Sequence, residues 1–596
     1  MRPFLSRQRR RWILCALVAL MPACSSCGES QPQGSDAPAV ELAPVPEPAG
    51  LVGELVVQKP GEAWTRLRDL GGGPARLMPA GFGMLVTTLL GIPAGNAESL
   101  DTDIPVTGAI AEDGENLSLA LSAHVKSGPE LLARLSKGAD ASFDAKHDDQ
   151  SGITLLVPKP GKASTEVQLG VIGNYLVVST NLDALKKLAP YAARTLSKQP
   201  PPKEAIVVTL KKQALSGPLL KRLRAWWQQQ KKKLEQSDLA NRQKHGRGTP
   251  DFGDPAAAVA GLDSAVEGIA GLLGSSSGAR LTVEPSPERL DARLEVTPEK
   301  TGALAELLAG LNVGSADELL ALPNDTSLGL LTRTTKESRE SSAKSIVTGL
   351  SDLFKDRMSA ADKRALETAL TALAHGRGDW ETYGVLLKGG KGGLVYRAGV
   401  SDPKAFDTGA RGVLKAFQMK AFAEPLHQFL GDITFKPSTT EVPGVPGKVE
   451  RMTIGLKPSP MQKAAGGKAM TAPNAPAPAA PRAVDVLWLI ADGKVYGALS
   501  FEALPVLAAT YAAPTDKSKS HASDPLIRAA IGRVGKEAAF VVMLQPNRLG
   551  IAGMASLEGA APVVLSVGRS SGNGWLKLDA DRGATEALVK NMVLGN

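Results

Sequence analysis

The chain spells one local pattern twice. Val167 to Ala193, VQLGVIGNYLVVSTNLDALKKLAPYAA, returns 319 positions later as Val486 to Ala512, VLWLIADGKVYGALSFEALPVLAATYA. In each copy two alternating apolar runs flank a tight-turn pair, Gly173-Asn174 or Asp492-Gly493, and a polar residue, Asn181 or Ser500, opens a segment written x-Asp/Glu-Ala-Leu-x-x-Leu-Ala. Such turn pairs between alternating runs specify a hairpin, and a polar residue ahead of a helical period is an N-cap. Each copy therefore predicts a hairpin followed by a helix. Leu185, Leu188, Leu504 and Leu507 are expected to fill the contact between helix and sheet.

Neighbouring elements recur in the same order. Leu51 to Val57 reads as a strand, and Pro60 to Leu70 as a helix with proline in its first turn. Asn116 to Val125 alternates as a strand and leads through Gly128-Pro129 into a helix over Glu130 to Leu135. Ile153 to Val157 is expected to pair with the repeated unit. Lys203 to Leu210, KEAIVVTL, is a further strand, and Leu290 to Leu311 is a strand followed by a helix after Thr297-Pro298. In the second half Leu394 to Val400 leads through Asp402-Pro403 into a helix, and Met452 to Leu456 precedes the repeated unit. Lys536 to Leu544, KEAAFVVML, echoes KEAIVVTL, and Trp575 to Val593 closes with strand then helix. The shared order implies duplication, with halves near residues 51–315 and 320–596. The expected fold class is α+β: two similar domains, each an antiparallel sheet covered by helices on one side.

Offsets locate the differences between the halves. Pro158 to Pro458 is 300 positions against 319 for the repeated unit, so 19 extra residues fall in the Pro/Ala-rich loop Ala464 to Ala483. The first half has its own insertion at about 218–273. There Pro218 to Ser237 carries Leu220, Leu223, Trp227 and Leu234 as one stripe, with Lys, Arg and Gln on the remaining face. After a loop from Asn241 to Pro255, a second helix places Val259, Leu262, Val266, Ile269 and Leu273 at helical spacing, so a helical hairpin is expected. In one reading the two helices pack on each other and leave a solvated basic face. In the other, Trp226 and Trp227 sit at headgroup depth while Lys231, Lys232 and Lys233 meet anionic lipid or a partner.

The start of the chain carries an address. Arg2, Arg7, Arg9, Arg10 and Arg11 precede the apolar run Trp12 to Leu20, which is too short to span a bilayer, so residues 1–23 read as an export signal. Met21-Pro22-Ala23-Cys24 resembles the lipobox of bacterial lipoproteins, with Met21 where leucine is usual. That resemblance implies cleavage before Cys24 and a diacylglycerol on its thiol; Cys27 after Ser26 is the alternative. Ser25 and Ser26 in place of aspartate imply transfer to the outer membrane. The run Arg9 to Ile13 loosely resembles a twin-arginine signal, so the export route stays open. Gly28 to Gly50 is rich in Pro, Ala, Ser and acidic residues and reads as a disordered tether, which makes 24–50 anchor and spacer.

Charge and cysteines narrow the classes. Five of the nine net positive charges lie in the signal, so the mature chain carries about +4 (9 − 5), and with export this disfavours nucleic acid. Cys15, Cys24 and Cys27 are the three cysteines, so the folded part has no internal disulfide and relies on burial.

Catalytic patterns fail on their context. Gly274 to Gly278, GSSSG, matches GxSxG, but a helix precedes it and the strand Ala279 to Val283 follows, the reverse of a nucleophile elbow. Ser341 to Lys344 matches SxxK and Lys300-Thr301-Gly302 matches KTG, in the wrong order for penicillin-binding enzymes. Arg377-Gly378-Asp379 is an incidental tripeptide, and Gly389 to Gly393 reads as a turn between strands. His147-Asp148-Asp149 reads as a solvated loop before the turn Ser151-Gly152. The histidines are scattered, and neither a metal nor a cofactor is expected.

In layout the chain resembles uncharacterised exported bacterial lipoproteins built from tandem strand-strand-helix units. The expectation is a membrane-anchored, non-enzymatic protein of the bacterial envelope, at the outer membrane facing the periplasm or the surface. It would act as an interaction or scaffold module that binds an envelope protein through sheet edges or the helical insertion. The alternative is a carrier of a lipid or other apolar ligand held between sheet and helices.

Overall fold

The computed structural model describes residues 42–586, apart from internal stretches at 76–77, 115, 139–140, 162–166, 246–254, 355–356, 388–391, 425–432, 457–482 and 549–560. Cys24 and almost all of the Pro/Ala-rich loop thus lie outside the described residues. Two compact units divide the chain: Met1–Arg222 with Leu273–Glu299 and Lys577–Asn596, and Leu223–Leu272 with Lys300–Leu576. This differs from two continuous halves meeting near 315–320. The inserted helices group with the second unit, and the end of the chain groups with the first. Within the first unit Lys577 pairs with Asp291 at 2.9 Å and Arg289 with Asp579 at 3.1 Å, which ties that end in place.

The first series of strands is β1 (Leu51–Val57), β2 (Val106–Asp113), β3 (Asn116–His124), β4 (Phe143–Asp148), β5 (Ile153–Pro158), β6 (Gln168–Ile172), β7 (Tyr175–Ser179), β8 (Ile206–Lys211), β9 (Ser276–Pro285) and β10 (Arg289–Pro298). They pair antiparallel in the order β4-β5-β6-β7-β3-β2-β1-β8-β9-β10. The second series is β11 (Thr326–Arg333), β12 (Arg377–Leu386), β13 (Gly393–Val400), β14 (Ile433–Thr440), β15 (Val449–Leu456), β16 (Ala483–Ala491), β17 (Lys494–Ser500), β18 (Ala538–Leu544), β19 (Val563–Ser570) and β20 (Asn573–Asp581). Its order is β14-β15-β16-β17-β13-β12-β11-β18-β19-β20, the same path through ten strands. The echo KEAIVVTL/KEAAFVVML runs into β8 and β18, which hold equivalent places in the two orders.

The repeated unit folds as hairpin then helix in both copies. Asp492 and Gly493 have φ of 52° and 66°, the paired left-handed conformations of a tight two-residue turn, and Gly173 has φ of 55°. Each hairpin tip holds the end of a neighbouring strand: the Val125 N–H donates to the Asn174 carbonyl at 2.8 Å and the Val400 N–H to that of Gly493 at 2.9 Å. Asn181 caps Leu182–Arg194 by accepting from the Ala184 N–H at 2.7 Å. Ser500 does not cap its helix. The helix begins only at Ala503 with Glu502 at the N-cap position; the Ser500 hydroxyl accepts from the Glu502 N–H at 3.1 Å, outside the helix, and donates to the Gly392 carbonyl at 3.0 Å.

Helices cover both faces of each ten-strand series around this unit, where one face was expected. Leu176, Val177 and Val178 of β7 are all buried. Val177 packs with Leu185 and Leu188 of Leu182–Arg194, while Leu176 and Val178 pack with Leu131 and Leu135 of Gly128–Ser136. In the second series Tyr496 and Ala498 pack with Leu507 of Ala503–Ala512, whereas Val495 packs with Phe406 of Pro403–Ala416. The reason is directional. Helices capped by Ser127 and Asp402 leave the ends of β3 and β13 and fold onto one face; those following β7 and β17 fold onto the other. A strand buried on both sides is apolar at consecutive positions.

The end of the expected tether is also ordered. Leu42 and Val45 pack against the core of the first unit, and the Thr195 hydroxyl accepts from the Val45 N–H at 2.9 Å and donates to its carbonyl at 2.7 Å. Arg194 also donates to the Ala43 carbonyl at 2.9 Å and Lys211 to Glu47 at 2.6 Å, so contacts from the first unit hold an extended segment that has no period of its own.

Candidate functional site

The sequence placed its candidate contact on the inserted helices, Pro218–His245 and Pro255–Gly274. They run antiparallel, as three polar contacts at opposed positions require. Arg224 grips Glu267 through two bonds, at 3.1 and 2.7 Å. Lys231 donates to Asp263 at 2.6 Å, and the Trp227 indole N–H donates to the same carboxylate. The hydrogen bond from Lys231 first, then that from Trp227, holds the Asp263 carboxyl below the usual aspartate range; Arg224 does the same for Glu267.

This geometry separates residues that the sequence grouped together. Trp227 is 7% exposed and Lys231 is in an ion pair, so both belong to the seam between the helices. Neighbouring Trp226 is 54% exposed, and Lys232 and Lys233 are exposed. Among the described residues, four large apolar side chains stand open on the two helices: Trp226, Leu234, Leu262 and Ile269, the last three at 45%, 48% and 50%. Leu262 and Ile269 belong to the stripe expected to be packed; within it only Val266 is buried. A signal for this existed. Arg224 and Lys231, seven apart, match Glu267 and Asp263, four apart, and that charge complementarity marks the faces that meet.

Other polar clusters serve the framework. In β12 the Arg377 guanidinium donates to Glu381 Oε2 at 2.6 Å, and that oxygen also accepts from the Tyr383 and Tyr396 hydroxyls at 2.9 and 3.2 Å. Burial first, then the Glu381 charge, pushes both phenols up, so they remain donors. His147 and Asp148 end the edge strand β4 rather than lying in a loop. Asp148 accepts from Ser151 and from Lys186 at 2.6 Å, chiefly the latter bringing its pKa down to about 2. His521 is fully buried, and burial, then the charge of Arg548, drives its pKa down to about 3, so the ring is neutral. Ser341 and Lys344 are exposed on the helix Lys336–Phe354, and Lys300 and Thr301 are exposed ahead of Ala303–Gly310. The helix ending at Gly274 runs directly into β9, so the GxSxG match has the reversed order.

Two surface hollows are small. One of about 280 Å³ is lined by Arg68, Asp69, Gly72 and Arg582, the other of about 430 Å³ by Glu441, Val442, Pro443, Val445, Gly447 and Lys448. Neither has the predominantly apolar lining of a lipid cavity. Among the described residues no group of three or more His, Cys, Asp or Glu side chains is placed to hold a metal ion, and no helix is long and apolar enough to cross a membrane.

No family model matches the chain, and no curated protein matches it. Crystal forms IV and III of TP0453 align over 42% and 45% of this chain and 80% and 88% of theirs, at 10% identity. Their TM-scores are 0.19 and 0.20, a likeness too slight to bear on fold or function.

Proposed function

We propose that this chain is a duplicated, non-enzymatic lipoprotein of the bacterial envelope, held to the membrane by a lipid on Cys24, that works as an interaction or scaffold module. The duplication is supported by the identical path of two ten-strand series, joined to the sequence echoes. Its interaction surface is the inserted pair of helices. The observation that carries this is the group of half-exposed apolar side chains there, Trp226, Leu234, Leu262 and Ile269, gathered on two helices that pack on each other.

Sheet edges are poorer candidates. β4 carries Asp144, Lys146 and His147 outward, and β14 carries Lys436 and Pro437, the charges and proline that discourage strand addition. The carrier reading gains no support from the two hollows.

Two measurements test the proposal. Cys24→Ser should release the protein from the membrane fraction of intact cells; unchanged retention would remove the anchor. Photo-crosslinkers at Leu262 and Ile269 should give adducts in cells that a crosslinker at Leu526, 43% exposed elsewhere, does not. Equal labelling at all three positions would sink the assignment of the surface.

A further inference from the structure

Two facts define what the helical pair can meet. The first is geometric. Successive residues of a helix advance by about 100°. With Trp227 turned to the partner helix, Trp226 lies on one flank with Lys233 beside it, while Lys232 lies on the other. With Asp263 turned inward, Leu262 and Ile269 lie on one flank of the second helix, next to buried Val266. In an antiparallel pair these flanks fall on the same side. The contacts Arg224 to Glu267 and Trp227 to Asp263 set the level of Trp226 between those of Leu262 and Ile269. One side of the pair therefore presents an indole and two branched aliphatic side chains, each about half exposed, with an ammonium at its edge.

The second is electrostatic. Pro218–His245 contains Lys221, Arg222, Arg224, Lys231, Lys232, Lys233, Arg242 and Lys244 against Glu235 and Asp238, a sum of +6 (8 − 2). The mature chain sums to +4, so everything outside this helix sums to −2 (4 − 6). Arg224 and Lys231 are matched by Glu267 and Asp263 of the second helix, so the pair of helices carries +4 (6 − 2), the whole net charge of the mature protein, on the element that also exposes Trp226.

We infer that the flank bearing Trp226, Leu262 and Ile269 lies on the headgroup region of an anionic bilayer, as a contact separate from the lipid on Cys24. An interfacial surface of this kind buries an apolar face a few ångströms below the headgroups, with tryptophan at the boundary and long basic side chains reaching back to phosphate. Charge complementarity selects the occupant: an anionic lipid surface satisfies an apolar flank and a cationic helix together. The inference deepens the interaction reading by naming the partner of the same surface. It also redraws the sequence-based candidate, since Trp227 and Lys231 hold the helices together while Leu262 and Ile269 take their place at the surface.

Vesicle flotation tests it, using the mature chain with Cys24→Ser so that no anchor contributes. Vesicles of phosphatidylglycerol and phosphatidylethanolamine should bind the protein at least about tenfold better than phosphatidylcholine alone. Trp226→Gln, Leu262→Gln and Ile269→Gln combined should abolish that binding, and Lys233→Gln should weaken it about fivefold, with far-ultraviolet dichroism and melting unchanged. Equal flotation on both vesicle types, or flotation indifferent to the triple variant, would overturn the lipid contact. The crosslinkers at Leu262 and Ile269 separate the two levels: lipid adducts support the inference, and protein adducts without lipid overturn it while leaving the interaction surface standing. Neither kind of adduct defeats both.

Discussion

Two alanine- and leucine-rich helices of this protein meet opposite fates. Leu182–Arg194 buries Ala184, Leu185, Leu188, Ala189 and the run Tyr191 to Ala193, and it is tied across the first strand series at three points. Lys186 reaches Asp148 of β4 at 2.6 Å, the Tyr191 hydroxyl donates to Glu54 of β1 at 2.9 Å, and Thr107 of β2 donates to the Ala192 carbonyl at 2.8 Å. Pro255–Gly274 has the same kind of stripe, yet Leu262 and Ile269 remain half exposed, and its Asp263 and Glu267 bond to one other helix. An apolar period marks a face that needs cover without saying what provides it. In the first helix the cover is the strands of the same unit; in the second, Leu262 and Ile269 are left half exposed.

Substitutions should divide along this line. The largest effect is expected from Leu188→Ala, which empties a fully buried position and should lower unfolding free energy by about 2–5 kcal/mol in denaturant titration. A loss below about 1 kcal/mol would mean that this helix is less firmly covered than its burial indicates. Asn181→Ala removes a true N-cap and should cost about 1 kcal/mol, whereas Ser500→Ala removes no cap and should not shorten Ala503–Ala512 in amide exchange. Faster exchange at the start of the second helix alone would reverse that contrast.

Both helices also hold an Asp–Lys pair, Asp148 with Lys186 and Asp263 with Lys231, each at 2.6 Å. Both carboxyls titrate below the ordinary aspartate value of 3.8, Asp148 at about 2. The contribution of a carboxyl with a lowered pKa is complete above 3.8 and is lost as pH falls toward the folded value. Carboxyl carbon shifts should therefore show Asp148 with a midpoint near 2, and Lys186→Met should return it toward 3.8. An unchanged midpoint would assign the shift to Ser151 instead. The smallest effect is expected from Leu262→Gln and Ile269→Gln, each within about 0.5 kcal/mol of the parent, because these side chains gain little from folding alone. A larger loss would place them in the core and erase the difference between the helices.

Much of the framework was legible because it rests on local chemistry. Asp492-Gly493 adopts the paired left-handed turn, Asn181 caps its helix, and the strands expected at Leu51 and Ile153 begin at those residues. β4 and β14 were not legible, since an edge strand faces solvent along most of its length and FDAKHD or ITFKPSTT lacks an apolar period. The candidate surface was half legible: the insertion and Trp226 stood out, but Trp227 and Lys231 were grouped with them. Adjacent residues on a helix point about 100° apart, and only the partner helix decides which of them is inside.

By itself, the sequence determined the turns, the cap at Asn181, the repeated hairpin-and-helix units and the concentration of positive charge on one inserted helix, because each depends on residues within a few positions of one another. Tertiary structure alone decided the shared order of two ten-strand series, the cover on both faces of β7 and β17, and the side of the helical pair left bare. Those outcomes depend on backbone bonds and buried surfaces between segments far apart in the chain, where no local pattern names the partner.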